Sequence, residues 1–160
     1  MIIRPRRLRR TATIREMVRE SRLSSKDFIA PLFVKHGDHL REPIASLSGQ
    51  YQFSVDMVVK EAEEIWSLGI PSIIFFGILG KKDPVGSSAH DENEVVQRAI
   101  SAVKDKIPEM VVMTDVCLCE YTDHGHCGII KDGEVDNDAT LEVLARQALS
   151  HARAGADFVG

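Results

Sequence analysis

Three cysteines stand close together in Asp115-Val-Cys117-Leu-Cys119-Glu-Tyr-Thr-Asp123-His124-Gly-His126-Cys127-Gly128, and the 160-residue chain has no other cysteine. An odd, clustered set is a poor disulfide framework and a better thiol or metal site in a reducing compartment. If the backbone stays extended past Asp115, Cys117 and Cys119 point the same way, because side chains two apart on a strand share a face. Turns at Gly125 and Gly128 can then return Cys127 to meet them. Three thiolates with a fourth position open make a Lewis-acid site, whereas a structural zinc normally takes four protein ligands. Three independent buried thiols are the plainer alternative. His124 or His126 could add a fourth ligand and close the site; the preferred reading is that they hydrogen-bond near the metal or orient the loop. Asp115, at a strand's end, can hydrogen-bond an ammonium or a ligand, or it can merely cap a turn. His36, His39, His90 and His151 are scattered and expected to be exposed. Lys81-Lys82-Asp83-Pro84 reads as a solvated loop, and Gly86-Ser-Ser-Ala-His90 as a polar loop without phosphate-loop spacing.

Those side chains need a frame, and the flanking pattern supplies one. Phe28-Ile-Ala-Pro-Leu-Phe-Val34 is an apolar, β-favouring run, followed by a polar stretch with Gly37. Ser54 can cap a helix in which Val55, Val58, Val59, Ala62, Ile65 and Trp66 recur at helical spacing, and Gly69 suits its end. Ser72-Ile-Ile-Phe-Phe76 is a second strand, running into Gly77 and Gly80. A helix over about 92–106 carries Val95, Val96, Ala99, Ile100 and Val103, and Pro108 closes it. Val111-Val-Met-Thr-Asp115 is a third strand and leads directly into the cysteines. Asp138 is expected to cap a last helix with Leu141, Val143, Leu144, Ala148 and Ala152 on its apolar side, ended by Gly155. Ala156-Asp-Phe-Val159 begins a fourth strand.

Strands near 31, 74, 113 and 158, with a helix in most gaps, predict a parallel sheet with helices outside it. Two architectures compete. An open doubly wound sheet usually shows G-x-G-x-x-G after its first strand, and none occurs here. A (β/α)8 barrel needs eight units and about 250 residues. About four units fit this chain, whose last strand runs to Gly160, so the text reads as the first half of something.

Composition narrows the function classes. The chain is 44% apolar and 28% charged, with net charge −4, too apolar for disorder. No run approaches the ~18 apolar residues of a membrane span, and Met1-Ile2-Ile3-Arg4-Pro5 does not open a secretory signal. A soluble, cytoplasmic protein is expected. Charge is uneven: residues 1–22 hold eight arginines against Glu16 and Glu20, a basic arm on an acidic body. Such an arm can meet nucleic acid, an anionic membrane or an acidic subunit surface, or remain a solvated tail. No aromatic residue precedes Phe28 to stack on bases. The reading is self-association, with no nucleic acid and no membrane as partner. The chain then divides into an arm, 1–22, and a folded body, 23–160.

These residues also carry a resemblance. Arg4-Pro-Arg-Arg-Leu-Arg9, Phe28–Val34, Pro108-Glu-Met-Val-Val-Met113 and above all Asp115–Gly128 followed by Asp136-Asn-Asp-Ala-Thr-Leu-Glu142 resemble porphobilinogen synthase, also called 5-aminolevulinate dehydratase. The similarity covers this whole chain and about the first half of a typical member. It places the chain with the zinc-using branch, because the magnesium branch has aspartates or other residues at these cysteines. Asp123 departs from the more usual serine and adds negative charge beside the metal.

The resemblance implies a (β/α)8 TIM barrel, of which this chain is about the first four βα units plus an N-terminal arm. It implies a hydro-lyase that condenses two 5-aminolevulinate molecules into porphobilinogen, for haem and other tetrapyrroles. It further implies a homo-octamer in which the arm embraces a neighbour, Zn2+ on Cys117, Cys119 and Cys127, and Asp115 beside the site as a catalytic residue. The family's two Schiff-base lysines, its carboxylate-binding residues, its lid and an allosteric Mg2+ site belong beyond residue 160. The lysines at 26, 35, 60, 81, 82, 104, 106 and 131 are placed in loops or helices and match neither Schiff-base position. A half-barrel would leave apolar strand edges at Phe28–Val34 and Ala156–Val159, which predicts a chain unstable as a monomer and inactive alone. The alternative function is a non-catalytic zinc-binding half-barrel that associates with itself or with a full-length subunit. The reading frame beyond codon 160 separates the two.

Overall fold

The structure, a computed structural model, describes residue 3 and residues 5–160; residues 1, 2 and 4 of the expected arm lie outside them. Pro5–Arg9 forms a 3-10 turn and Ala12–Met17 helix α1, whose first turn is capped by the Thr11 hydroxyl accepting from Ile14 N–H. Nothing in either element is buried. The body begins at a capping box in which Ser24 and Asp27 satisfy each other's backbone N–H groups.

Seven residues, Ile29–Lys35, make β1. Short strands β2 (Arg41–Pro43) and β3 (Tyr51–Phe53) follow, then α2 (Val55–Ser67), β4 (Ser72–Ile78), a 3-10 turn at Ser87–His90 and α3 (Val95–Lys106). Strand β5 (Val111–Thr114) leads into the cysteine loop. Beyond it lie β6 (Ile130–Lys131), β7 (Glu134–Val135), α4 (Asn137–Ala154) and β8 (Phe158–Val159). The main sheet runs β2-β3-β1-β4-β5-β8, parallel throughout except for β2 against β3.

Strands β1, β4, β5 and β8 therefore stand in chain order, each joined to the next by a connection carrying a helix on one face, which makes three βα units and the strand of a fourth. Leu32, Val34, Ile73, Phe75 and Val112 point to the helical face and are buried against Val58, Ala62, Val96, Ile100 and Val103. The opposite face carries Phe33 and Phe76, paired in register with their rings 5.4 Å apart, and is only half covered.

The sequence reading places an open apolar edge along Phe28–Val34; the structure covers only its C-terminal end, while Phe28 and Ile29 stay exposed. Strand β3 pairs with β1 at Phe33 and Val34, and β2 covers β3. Gly49, at φ +81, turns the chain between them, and the Arg41 guanidinium lies 3.5 Å from the centre of the Tyr51 ring. The other edge, at Phe158–Val159, is exposed as expected. Lys35 is also corrected: it is the last residue of β1, not a loop residue, and its ammonium sits 2.8 Å from the Glu42 carboxylate.

Helix α4 departs furthest from its expected face. Asp136, not Asp138, caps it, accepting from Ala139 N–H, while Gly155 ends it at φ +108. Its buried residues are Thr140, Val143, Gln147, Ser150 and His151, whereas Leu141 and Leu149 are exposed. The polar side chains face inward because each meets a partner there. Gln97 donates to Ser150 Oγ at 2.9 Å, and His151 Nδ1 lies 3.0 Å from the Thr114 hydroxyl.

His151 is thus fully buried, not exposed, and burial pulls its pKa down to about 4. A base that resists protonation only when folded stabilises the protein fully above its unfolded pKa of about 6.5. That contribution is lost as pH falls from there toward 4, because the unfolded chain then binds the extra proton. Between pH 7 and pH 5 the reduced, metal-free protein should lose about 2 kcal/mol more stability than a His151→Phe variant. Urea titrations at both values check this, and parallel pH dependence in the two proteins would refute it.

Candidate metal centre

Backbone hydrogen bonds hold the start of the cysteine loop to its neighbours. Asp115 N–H donates to the Phe75 carbonyl at 3.3 Å, and Val116 N–H to the Gly160 carbonyl at 2.6 Å. The chain does not stay extended, as the sequence reading assumed. It turns at Leu118, whose carbonyl accepts from Tyr121 and Thr122 N–H at 2.9 Å each. Leu118 and Tyr121 are buried with Ala89 and Val143, so the turn is driven inward by its apolar members. The sulfurs of Cys117 and Cys119 nevertheless lie 3.3 Å apart, brought together by this turn and not by strand alternation.

Cys127 returns to them through Gly125, whose φ of +72 suits glycine, with Thr122 Oγ1 donating to the His126 carbonyl at 2.7 Å. Gly128 serves differently: a Cβ there would fall 2.7 Å from Val135 and 2.8 Å from Thr140 Oγ1, so the loop needs glycine to seat on α4. The hairpin β6–β7, turned by Asp132-Gly133 with both φ values positive, then leads into α4.

All three sulfurs lie within 4.8 Å of one another, and neither histidine belongs to this cluster. His124 accepts from His126 N–H through Nδ1 at 3.1 Å and sets Nε2 3.2 Å from the Pro84 carbonyl. Both its nitrogens are thereby used in shaping the loop, which agrees with the preferred sequence reading. Burial raises the Cys117 thiol to about 12 and raises Cys119 as well, with Cys127 pushing both in the same direction. Such thiols keep their protons until a cation displaces them. Three soft donors in one place, one of them exposed, fit a zinc ion with room for a further ligand.

Two carboxyls, Asp115 and Glu120, flank Cys117 and Cys119 along the chain. Asp115 is half-buried, and burial raises its pKa. Glu120, which the sequence reading passed over, accepts from Gly77 N–H at 2.9 Å, and burial lifts it to about 7, with Asp115 contributing in the same direction. Gly77 is required for this approach, since a Cβ would lie 2.9 Å from Val96 and 3.2 Å from Glu120 Oε2. An acid between two cysteines was the available sequence signal.

Lys81–Pro84 is not simply solvated either. Asp83 exchanges backbone hydrogen bonds with Tyr121 and Asp123, its carboxylate accepts from Val85 and Ser87, and Lys82 Nζ donates to the Cys119 carbonyl at 3.2 Å. From α4, Gln147 Nε2 donates to the Cys117 carbonyl at 3.3 Å. Separately, a cleft of about 630 Å³ lies between the ends of β1 and β4 and the segment that follows β4, bordered by His36, Lys82, Ser87 and Glu94.

Among the described residues no helix is long and apolar enough to cross a membrane. The protein-family model for delta-aminolevulinic acid dehydratase matches residues 2–160. A curated delta-aminolevulinic acid dehydratase from Halalkalibacterium halodurans is 51% identical over 156 residues, covering 98% of this chain and 48% of that protein. One from Ruminiclostridium josui is 49% identical over 159 residues, covering 99% of this chain and 78% of that protein. A crystal structure of delta-aminolevulinic acid dehydratase (porphobilinogen synthase) from Toxoplasma gondii ME49, in complex with the reaction product porphobilinogen, superposes with a TM-score of 0.95 at 33% identity. It covers 99% of this chain and 46% of that one. The chain thus spans about half the length of most curated relatives it matches. Its parallel strands and the helices between them are those of a TIM barrel. With its cysteine loop at the end of β5, where barrel active sites are built, this chain belongs to the delta-aminolevulinic acid dehydratase family.

Proposed function

We propose that the chain provides the zinc-binding part of a porphobilinogen synthase, which condenses two 5-aminolevulinate molecules to porphobilinogen with loss of water. The observation that carries the reading is the convergence of Cys117, Cys119 and Cys127 at the end of a barrel strand. Those three would hold a zinc ion. A bound zinc supplies Lewis-acid polarisation of a substrate group, at a site that three protein ligands leave open.

The chain's own residues do the rest of what this half contributes. Asp115, raised by burial, can hold a proton at its carboxyl or pair with a substrate ammonium beside the sulfurs. Schiff-base chemistry needs a lysine that is free of its proton, which desolvation in an apolar pocket favours. Lys35, the strand-end lysine at the mouth, is ion-paired to Glu42 instead. We therefore assign the Schiff-base lysines to later strands of the barrel, as in the family. We place the protein in the cytoplasm, where these thiols stay reduced, and infer a homo-octamer linked by the basic arm.

Expression of the whole reading frame, followed by a colorimetric assay for porphobilinogen, tests the function. Product formation that a chelator stops and zinc restores is expected; no product, or activity indifferent to chelation, would overturn it. The 160-residue chain alone should form no product, and borohydride with 5-aminolevulinate should trap no lysine adduct detectable by mass spectrometry. An adduct on any of its eight lysines would show the catalytic machinery to be misplaced.

The arm has its own test. Residues 5–13 are all exposed on the body described here, and unpaired arginines are not buried without partners. Deleting residues 1–12 should lower the oligomeric state in light scattering while zinc content stays constant. An unchanged assembly would refute the docking role.

A further inference from the structure

The peptide carbonyls of Cys117 and Cys119 each accept a hydrogen bond from a side chain outside the cysteine loop. Gln147 of α4 reaches one at 3.3 Å, and Lys82, in the segment after β4, reaches the other at 3.2 Å. The two differ in setting. Lys82 is exposed, whereas Gln147 is fully buried on a helix whose neighbouring inward polar groups Ser150 and His151 are already engaged with α3 and β5. Gln147 also adjoins the phenol of Tyr121, which lies on the same loop between Cys119 and Cys127 and is itself buried. A buried amide that donates to a backbone carbonyl cannot exchange that partner for water at no cost, so it restrains the peptide it touches. The peptide in question fixes where the Cys117 Sγ points.

We propose that Gln147 is a positioning residue for the metal centre, holding the Cys117 peptide so that its sulfur meets those of Cys119 and Cys127, with Lys82 as a weaker, solvent-exposed counterpart. The inference rests on the reading that these cysteines bind zinc. Groups that orient ligands without touching the metal commonly affect metal affinity by about 10–100-fold. The same is expected here for loss of the Gln147 amide, and no more than a few-fold change for Lys82, whose hydrogen bond competes with solvent.

The test uses the intact reduced protein and two variants, Gln147→Met, which removes the donor at nearly constant volume, and Lys82→Met. Zinc affinity is measured by competition with a chromophoric chelator. Cobalt(II) is loaded in parallel, and its thiolate charge-transfer and ligand-field bands are recorded. The expected result is about 10–100-fold weaker zinc binding and an altered cobalt spectrum in Gln147→Met, with far-UV circular dichroism retained, and a few-fold change at most in Lys82→Met. Wild-type zinc affinity and an unchanged cobalt spectrum in folded Gln147→Met would overturn the assignment. A wild-type protein that binds no zinc would instead overturn the metal reading on which it rests. If Gln147→Met does not fold, the wild type decides through the 15N side-chain amide resonance of Gln147. Slow solvent exchange and a shift on zinc addition support the role, and exchange at the rate of a free amide with no response to zinc refutes it.

Discussion

A Cys119→Ala variant should retain less than about a tenth of the zinc that the unaltered protein holds after gel filtration in chelator-free buffer. The three sulfurs lie within 4.8 Å of one another and no histidine shares their cluster, so the loss of one leaves two ligands where zinc sites use at least three from the protein. The remaining thiols gain little from a weakly held cation, because burial raises Cys117 to about 12 and ligation must remove its proton. For the same reason zinc affinity of the unaltered protein should fall as pH drops below neutral. Elemental analysis with circular dichroism as a fold control is the measurement. Equal zinc in variant and parent would remove Cys119 from the site.

Replacing Phe75 by alanine is expected to cost about 4 kcal/mol of folding stability, a large share of what a domain of this size has. Phe75 is 1% exposed at the centre of β4, on the face that meets α3. Its removal leaves a cavity between the sheet and a helix that strands on either side hold in place. Phe158 provides the contrast: it is 60% exposed on β8, and in the 160-residue chain its replacement by alanine should cost under about 1 kcal/mol. Urea unfolding of both variants distinguishes them. A loss below about 1 kcal/mol for Phe75→Ala would mean that the sheet does not pack on its helices as described.

The four barrel strands were legible as short, continuous apolar runs, and α2 and α3 because their apolar residues recur at helical spacing. Within those runs the inward face is Ile73, Phe75 and Val112, and Gly69 and Gly155 adopt the positive φ that ends α2 and α4. Helix α4 was legible in extent and misread in facing. Its inward side is built from Gln147, Ser150 and His151 because the groups it must meet are polar, and hydrophobic periodicity is blind to such a face. Strands β2 and β3 are three residues each, too short to show a period, and the Asp132-Gly133 hairpin signal was present but unused.

At the site, residue types and spacing singled out the three cysteines as candidate ligands, and their sulfurs lie together in the structure. The route by which they meet was not legible. It depends on Leu118 and Tyr121 turning inward, a contest between burial and strand extension that only the packing of Ala89 and Val143 decides. Glu120, Lys82 and Gln147 escaped notice because their roles arise from partners 43, 37 and 30 residues away.

The most direct test of the central claim is X-ray absorption at the zinc edge on the purified, reduced protein. About one zinc per chain, bound by three sulfurs at ~2.3 Å with the remaining coordination made up by oxygen or nitrogen, is the predicted result. Zinc bound through oxygen and nitrogen alone, or no zinc retained without chelators present, would contradict it.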